Sequence, residues 1–315
     1  MENDHRIVTL IASATEIVCA LGFEDQLVGT SHECDFPPIA ETLPICSESK
    51  IDHHASSKNI DDQVLSVVRD SLSVYRVHTH LLEELSPTVI VTQDHCEVCA
   101  VSLKDVEQAV CDLVSSQPQI VSLSPNDLAD IWKDITLVAE ALDAPERGET
   151  LIAELKSRLA AISQKTSTIE KKPTVACIEW IEPPMVAGNW VPEILDIAGG
   201  IDVLGKPGEH SGYIDFEKII EADPDFIFVL PCGFDLERSW SEMPPMTGHP
   251  GWSNLTAVRN GRVFITDGNQ YFNRPGPRVV ESTEIFAEVL HPELFQFGHE
   301  GTGWRQFEPS GTITV

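Results

Sequence analysis

Two short stretches carry side chains whose types and spacing suit soft-metal chemistry. His32–Glu33–Cys34 and His95–Cys96–Glu97–Val98–Cys99 place imidazoles and thiols within a few residues of one another. His32, Cys34, His95, Cys96 and Cys99 together form a candidate ligand set for zinc or an iron–sulfur centre. A dithiol redox pair, or small thiols packed at a helix start, explain the same CxxC, which has no second CxxC as partner. Ser13, His32 and Asp35 are triad residue types, but nothing in their spacing requires a triad. There is no GxSxG elbow, no phosphate-binding glycine loop and no HExxH. The expectation is therefore a protein that binds without converting its ligand. A metal-handling protein or enzyme using the His and Cys residues is the alternative. His53 and His54, in an irregular stretch, and the pair Asp61–Asp62 read as solvated.

A second group of residues suits binding. In the first half it comprises Ser13, Thr15, Glu16, His32, Glu33, Asp35, Gln93, Asp94 and His95. In the second half it comprises Glu179, Trp180, Asn189, Trp190, Phe234, Tyr271, Phe272 and Arg274. Rigid aromatics cover the face of a large planar ligand at low entropic cost. Packing of one loop on another is the competing role for Trp180, Trp190, Tyr271 and Phe272. Arg274 has two readings as well: pairing with a ligand carboxylate or phosphate, or tying its loop to Glu179 or Glu182.

All these residues fall in loops that follow strand-like runs. Residues 6–12, 26–30, 88–92 and 119–123 read as strands of one half; 174–178, 201–204, 226–230 and 262–266 as strands of the other. Helical spacing follows most of them, with Ser13 or Thr15 capping the first helix and Ser124 or Asn126 the helix at 127–142. Residues 145–169 read as one long helix. Pro145 stands in its first turn, and Leu151, Ile152, Leu155, Leu159 and Ile162 recur at helical spacing.

The pattern on either side of this helix repeats. ALGFEDQLVG matches IAGGIDVLG, LLEELSPTVIV matches KIIEADPDFIFV, and QPQIVSLS matches NGRVFITDG. Alternating strands and helices imply parallel sheets, and ligands meet such sheets beyond the carboxyl ends of the strands. The expected plan is an N-terminal α/β lobe over residues 1–125, a linker with the long helix over 126–171, a C-terminal α/β lobe over 172–293 and a tail over 294–315. The expected pocket is a cleft where two such lobes face each other.

Composition narrows the partners. The 315 residues carry 50 Asp and Glu against 21 Lys and Arg, for a formal net charge of −29. Such a chain repels phosphate backbones, which argues against nucleic acid. No run approaches the apolar length of a membrane helix, so no membrane insertion is expected. The eight cysteines are scattered, which suits a reducing compartment. The N-terminus lacks a basic region followed by a long apolar one. With Met1 as the native start the expectation is cytoplasmic; a periplasmic protein whose signal has been removed is the alternative.

The segments RIVTLIASATEIVCALGFEDQLVG, LSPTVIV and GRVFITDG, in that order, resemble the periplasmic-binding-protein family of the single-helix-hinge type. The resemblance covers residues 6–293. It is closest to the cobalamin-binding branch, and TQDHCEVCAVS, EWIEPPMVAGNWVPE, PCGFDLER and YFNRPGPRVVE look like a signal-less subgroup. It implies two Rossmann-like lobes joined by one stiff spine helix. It also implies binding of a cobalamin-like corrinoid or related tetrapyrrole or metal chelate; with no signal at the N-terminus, the expectation is a monomeric cytoplasmic carrier, buffer or sensor of that ligand. A histidine beside such a ligand would suit the lower axial position of a corrinoid cobalt. As an ABC importer subunit, the alternative reading, it would dock on a permease through one acidic residue per lobe. Glu217 stands at that place in the second half. The matching place in the first half is near His80, with Glu83 and Glu84 close by.

Overall fold

The computed structural model describes residues 4–69, 75–93 and 116–308, the side chains of residues 68 and 69 excepted. These form two compact units. One takes in residues up to Ala55 and Asn59–Leu155; the other takes in Ser56–Lys58 and the chain from Lys156 onward.

The first unit is built on a four-stranded parallel sheet of β1 (Ile7–Thr9), β2 (Leu27–Gly29), β5 (Val89–Gln93) and β6 (Gln119–Leu123), in the order β2-β1-β5-β6. Every residue of β1 and β5 is buried, as expected of parallel strands covered on both faces. Register runs Ile7 to Val89, Val8 to Ile90 and Thr9 to Val91, and Leu10 N continues it by donating to Val91 O at 2.8 Å. A separate antiparallel pair, β3 (Ser47–Ser49) and β4 (Tyr75–Val77), stands beside this sheet in sequence order. The helices of this unit are α1 (Ala12–Ala20), α2 (Ser57–Arg69), α3 (Thr79–Leu85) and α4 (Leu128–Ala141).

Helix α1 starts earlier than its spacing suggests. Ser13 and Thr15 lie inside it, both buried, and its N-cap is Ile11, with no side-chain cap. Helix α4 is capped by Asp127, whose carboxylate accepts from Asp130 N at 2.8 Å, in place of the expected Ser124 or Asn126. Its positions Leu128, Ile131, Ile135 and Val138 are buried, the apolar stripe read from sequence.

Helix α5 (Pro145–Thr166) is one continuous element of 22 residues, about 33 Å long at the standard rise. Leu155, Leu159 and Ile162 are its buried stripe. It stops three residues short of the expected end, where Thr166 Oγ1 donates to Ile197 O at 2.8 Å.

The second unit holds a seven-stranded sheet. Strands β7 (Thr174–Trp180), β9 (Ile201–Asp202), β11 (Phe226–Val229) and β12 (Val263–Thr266) are mutually parallel where they pair. Short antiparallel strands β8 (Met185–Val186), β10 (Gly212–Tyr213) and β13 (Trp304–Gln306) extend it. The repeat predicted the parallel strands; the three additions make this sheet mixed. Around it lie α6 (Val191–Ile197), α7 (Phe216–Ala222), α8 (Leu236–Ser241), α9 (Pro244–Thr247), α10 (Thr256–Arg259) and α11 (Val279–Leu290). Among the described residues no helix is long and apolar enough to cross a membrane.

The tail after α11 is held down by carboxylates. Glu288 accepts from Phe297 N, Gly298 N and His299 N at 2.8–2.9 Å and from Trp304 Nε1 at 2.6 Å. Glu284 accepts from Arg158 at 2.7 Å and pairs with His299 Nε2 at 3.1 Å. These bonds let β13 add to the edge of β12 despite the weak periodicity of residues 291–306.

Candidate ligand-binding site

In the first unit the expected residues gather beyond the carboxyl ends of β1 and β5. Thr9 at the end of β1 shares a hydrogen bond with Thr15 across 2.7 Å. Thr15 Oγ1 also donates to Cys34 Sγ at 3.0 Å, and Ser31 Oγ lies 3.1 Å from the same sulfur. Burial pushes the Cys34 thiol up, even though these hydroxyls act against it. A protonated, hydrogen-bonded thiol inside a packed loop is neither a ready nucleophile nor a ready metal ligand.

Ser13 and Gln93 are 1% and 4% exposed, and Ser13 Oγ and Gln93 Oε1 have no hydrogen-bond partner among the described residues. Glu16 is 3% exposed. Glu33 and Asp35 are half-buried; Glu33 accepts from Tyr75 OH at 2.9 Å. His32 Nδ1 meets Ser47 Oγ at 2.9 Å, and its ring lies 5.1 Å from Tyr75 and 6.2 Å from His53. Burial, then the charges of His53 and His78, lower its pKa to about 4, so the imidazole is neutral. His53 and His54 are exposed, as expected of a solvated loop.

Asp94, His95, Cys96 and Cys99 lie outside the described residues. Among the described residues no three His, Cys, Asp or Glu side chains come together as for a metal ion. Cys34 is instead occupied by hydroxyls, which gives it the packing role that stood open in sequence.

In the second unit the aromatic residues divide. Trp190 is 6% exposed, and its Nε1 donates to Phe272 O at 2.8 Å. Phe272 is 1% exposed, packs edge-on against Phe286 at 4.8 Å, and its N donates to Ser282 Oγ. These two side chains take the packing role, since their surface is already spent within the unit. Burying a phenylalanine this fully is worth roughly 2–3 kcal/mol.

Trp180, at the end of β7, and Tyr271, after β12, remain half-buried. The Trp180 ring lies 5.1 Å from Phe234, after β11, and its Nε1 donates to Ser57 O at 3.2 Å. The Arg278 guanidinium sits 5.3 Å over the Tyr271 ring. Trp180 and Tyr271 are the expected aromatics that keep surface to offer.

Polar groups fix these loops. Glu179 accepts from Ser211 Oγ at 2.7 Å. Asn189 is 9% exposed with φ +52°, and its Oδ1 has no hydrogen-bond partner among the described residues. Arg274, 6% exposed, donates to Asn269 Oδ1 at 3.2 Å, so it braces its own loop. Asn273 Nδ2 donates to both Leu230 O and Gly268 O at 3.0 Å. Sequence reasoning passed over Asn273, Asn269 and Ser211, which touch backbone carbonyls, Arg274 and the Glu179 carboxylate respectively. Their signal was only adjacency to the aromatic loops. Gly268 permits the closest approach: a Cβ there would meet Pro231 O at 2.1 Å.

Glu217, in the first turn of α7, is exposed, 3.7 Å from His249 Nε2. In α3, His80 pairs with Glu84 at 3.4 Å on an equally open surface, with Glu83 also exposed.

The family model described as Periplasmic binding protein matches residues 7–270. An uncharacterized ABC transporter substrate-binding lipoprotein of Bacillus subtilis, YvrC, is 24% identical, over 92% of this chain and 81% of its own. A vitamin B12-binding protein of Vibrio parahaemolyticus is 23% identical, over 91% of each chain. The solved apo structure of the periplasmic heme-binding protein RhuT from Roseiflexus superposes with a TM-score of 0.66 at 23% identity, covering 91% of this chain and 99% of that one. The expectation of a cytoplasmic protein is corrected by these relatives, which are lipoprotein or periplasmic substrate-binding proteins and point to an extracytoplasmic place. That expectation rested on the first residues of the chain and on scattered thiols, neither of which reports the compartment.

Proposed function

The chain belongs to the periplasmic binding protein family, and on that premise we propose that it is the extracytoplasmic solute-binding component of an ABC importer for a corrinoid or a related tetrapyrrole. It binds this ligand without chemical conversion and delivers it to a membrane permease. The observation that carries the ligand class is the aromatic surface at the strand ends of the second unit. There Trp180 leans on buried Phe234, and Tyr271 is held under Arg278. Two rigid half-exposed rings on a braced scaffold suit the face of a flat macrocycle. The vitamin B12-binding relative supports a corrinoid among such macrocycles.

Glu217 is the proposed acidic contact to the permease, with Glu83 and Glu84 as the counterparts in the first unit. All three are exposed, and an importer's cationic residues would find them at low desolvation cost.

Tryptophan fluorescence tests the ligand class. Cyanocobalamin, dicyanocobinamide or haem at micromolar concentration should quench the emission saturably. Trp180→Phe should remove a large part of the quenching, and Trp180→Ala should weaken binding about tenfold, the usual worth of a stacked aromatic. No saturable quenching by any of the three would overturn the reading.

A further inference from the structure

The tail after α11 reaches back to the aromatic surface of its own unit. The His299 ring lies 6.2 Å from the Tyr271 ring, centroid to centroid, with 68° between their planes. This is the edge-to-face arrangement that aromatic pairs prefer. Just before α11, the Arg278 guanidinium sits 5.3 Å over the same ring, and its Nη1 donates to Gln270 Oε1 at 2.9 Å. Tyr271 is half-buried, and these two neighbours confine the part of it that the loop leaves open.

His299 is itself held at two points. Its N donates to Glu288 Oε1 at 2.9 Å, and its Nε2 pairs with Glu284 Oε2 at 3.1 Å. Glu284 accepts in turn from Arg158 Nη2 at 2.7 Å, and Arg158 belongs to the long helix α5. A line of contacts therefore runs from α5 through α11 and the tail to the Tyr271 ring. Backbone bonds tie the same two loops together: Asp267 N donates to Gly303 O at 2.9 Å, and Tyr271 N donates to Asp267 O at 3.1 Å.

Glu284 and Glu288 are 8% and 7% exposed. Burying two carboxylates costs desolvation, which well-placed hydrogen bonds must offset. Those bonds converge on the turn that carries His299, so the turn is among the most firmly anchored parts of the tail. A ring fixed from such a turn has less rotamer freedom to lose when a ligand stacks on it.

We propose that His299 is a positioning residue for ligand binding: the anchored tail holds the Tyr271 ring in the orientation that meets a flat macrocycle. This rests on the proposed tetrapyrrole-binding function and extends it to a part of the chain beyond the family match at residues 7–270. His299 acts through Tyr271 and not on the ligand.

The test is a double-mutant cycle on Tyr271 and His299. Affinity is read by equilibrium dialysis against cyanocobalamin, dicyanocobinamide and haem, with melting temperatures measured alongside. Two substitutions of His299 separate its contacts. His299→Gln keeps a donor for Glu284 but removes the ring; His299→Phe keeps the ring but removes the donor. For the probe that binds the wild-type protein best, Tyr271→Ala should weaken binding about tenfold and His299→Gln about three- to tenfold. His299→Phe should weaken it by less than about twofold, even if it lowers the melting temperature more than His299→Gln does. In the Tyr271→Ala background, His299→Gln should change affinity by less than about twofold, because the ring it positions is gone. Additive losses in the cycle would overturn the positioning role while leaving tetrapyrrole binding intact. So would an unchanged affinity in His299→Gln, or an equal loss in His299→Gln and His299→Phe. Failure of the wild-type protein to bind any of the three probes would overturn the proposed function and the positioning role with it.

Discussion

Trp190 Nε1 donates to the carbonyl of Phe272 at 2.8 Å, across 82 residues of sequence. The bond ties the loop after β8 to the loop after β12, and both side chains are buried. Two residues that looked like ligand contacts are thereby part of the support. Trp190→Phe should lower stability by about 1 kcal/mol in urea unfolding, the typical net worth of one such bond. It should leave corrinoid affinity within about threefold, whereas Trp180→Ala should weaken it about tenfold. Equal losses of affinity in the two variants would return Trp190 to the ligand face.

Asp134 in α4 is 4% exposed. Its Oδ1 receives a long bond of 3.4 Å from Ser124 N, and its Oδ2 receives none among the described residues. Burial raises its pKa to about 7. A carboxyl whose folded pKa lies above its unfolded value binds more protons when folded, so stability falls as pH rises from about 4 to 7. Asp134→Asn should therefore stabilise the protein near pH 8, with the gain shrinking toward pH 5. Melting curves of the two proteins across that range show the crossover.

His32 has the opposite slope. Its folded pKa, about 4, lies below the usual value, because burial and then neighbouring His53 and His78 disfavour the cation. The unfolded chain takes up the proton first, so stability is full above about pH 6.5 and declines as pH falls toward 4. His32→Gln should flatten this acid limb. An unchanged slope in the variant would show that other groups carry it.

Glu284 is buried, which pushes its pKa up, yet hydrogen bonds from His299 and Arg158 outweigh this and hold it below the usual carboxylate range. Its stabilisation is present above the ordinary Glu value of about 4.3 and is lost as pH falls through the lower folded value. Glu284→Gln should cost about 1–2 kcal/mol at neutral pH, a figure discounted because the Arg158 side chain is 43% exposed. Chemical denaturation at neutral pH measures it.

Glu217→Arg should leave ligand affinity unchanged and reduce the stimulation of permease ATPase by the loaded protein about tenfold or more. Equal stimulation by both proteins would show that Glu217 is not a docking contact.

Most of the scaffold could be read from the chain because its signals are local. The buried runs of β1, β5, β7, β11 and β12 are strand-length and β-rich, and α5 combines Pro145 with a regular stripe. The strands that escaped notice are β3, β8, β10 and β13, each only two or three residues long. The cap of α4 was misplaced because Ser124, Asn126 and Asp127 are all competent; only Asp127 lies within reach of Asp130 N.

The site was legible as a set of loops but not in its division of labour. Aromatic type alone does not separate Trp180 from Trp190; burial does, since Trp190 is 6% exposed and Trp180 stays half-buried. The same holds for Cys34, whose thiol reads as a soft ligand until Thr15 and Ser31 are seen to occupy it. Arg274, read as pairing with a ligand or tying its loop to Glu179 or Glu182, is seen to donate to Asn269 Oδ1.

The most direct measurement is equilibrium dialysis of the purified wild-type protein against dicyanocobinamide and cyanocobalamin. The account predicts saturable binding of about one equivalent of corrinoid with a dissociation constant in the micromolar range or below. Absence of saturable binding of either corrinoid at about 100 μM, by protein that melts cooperatively, would contradict it.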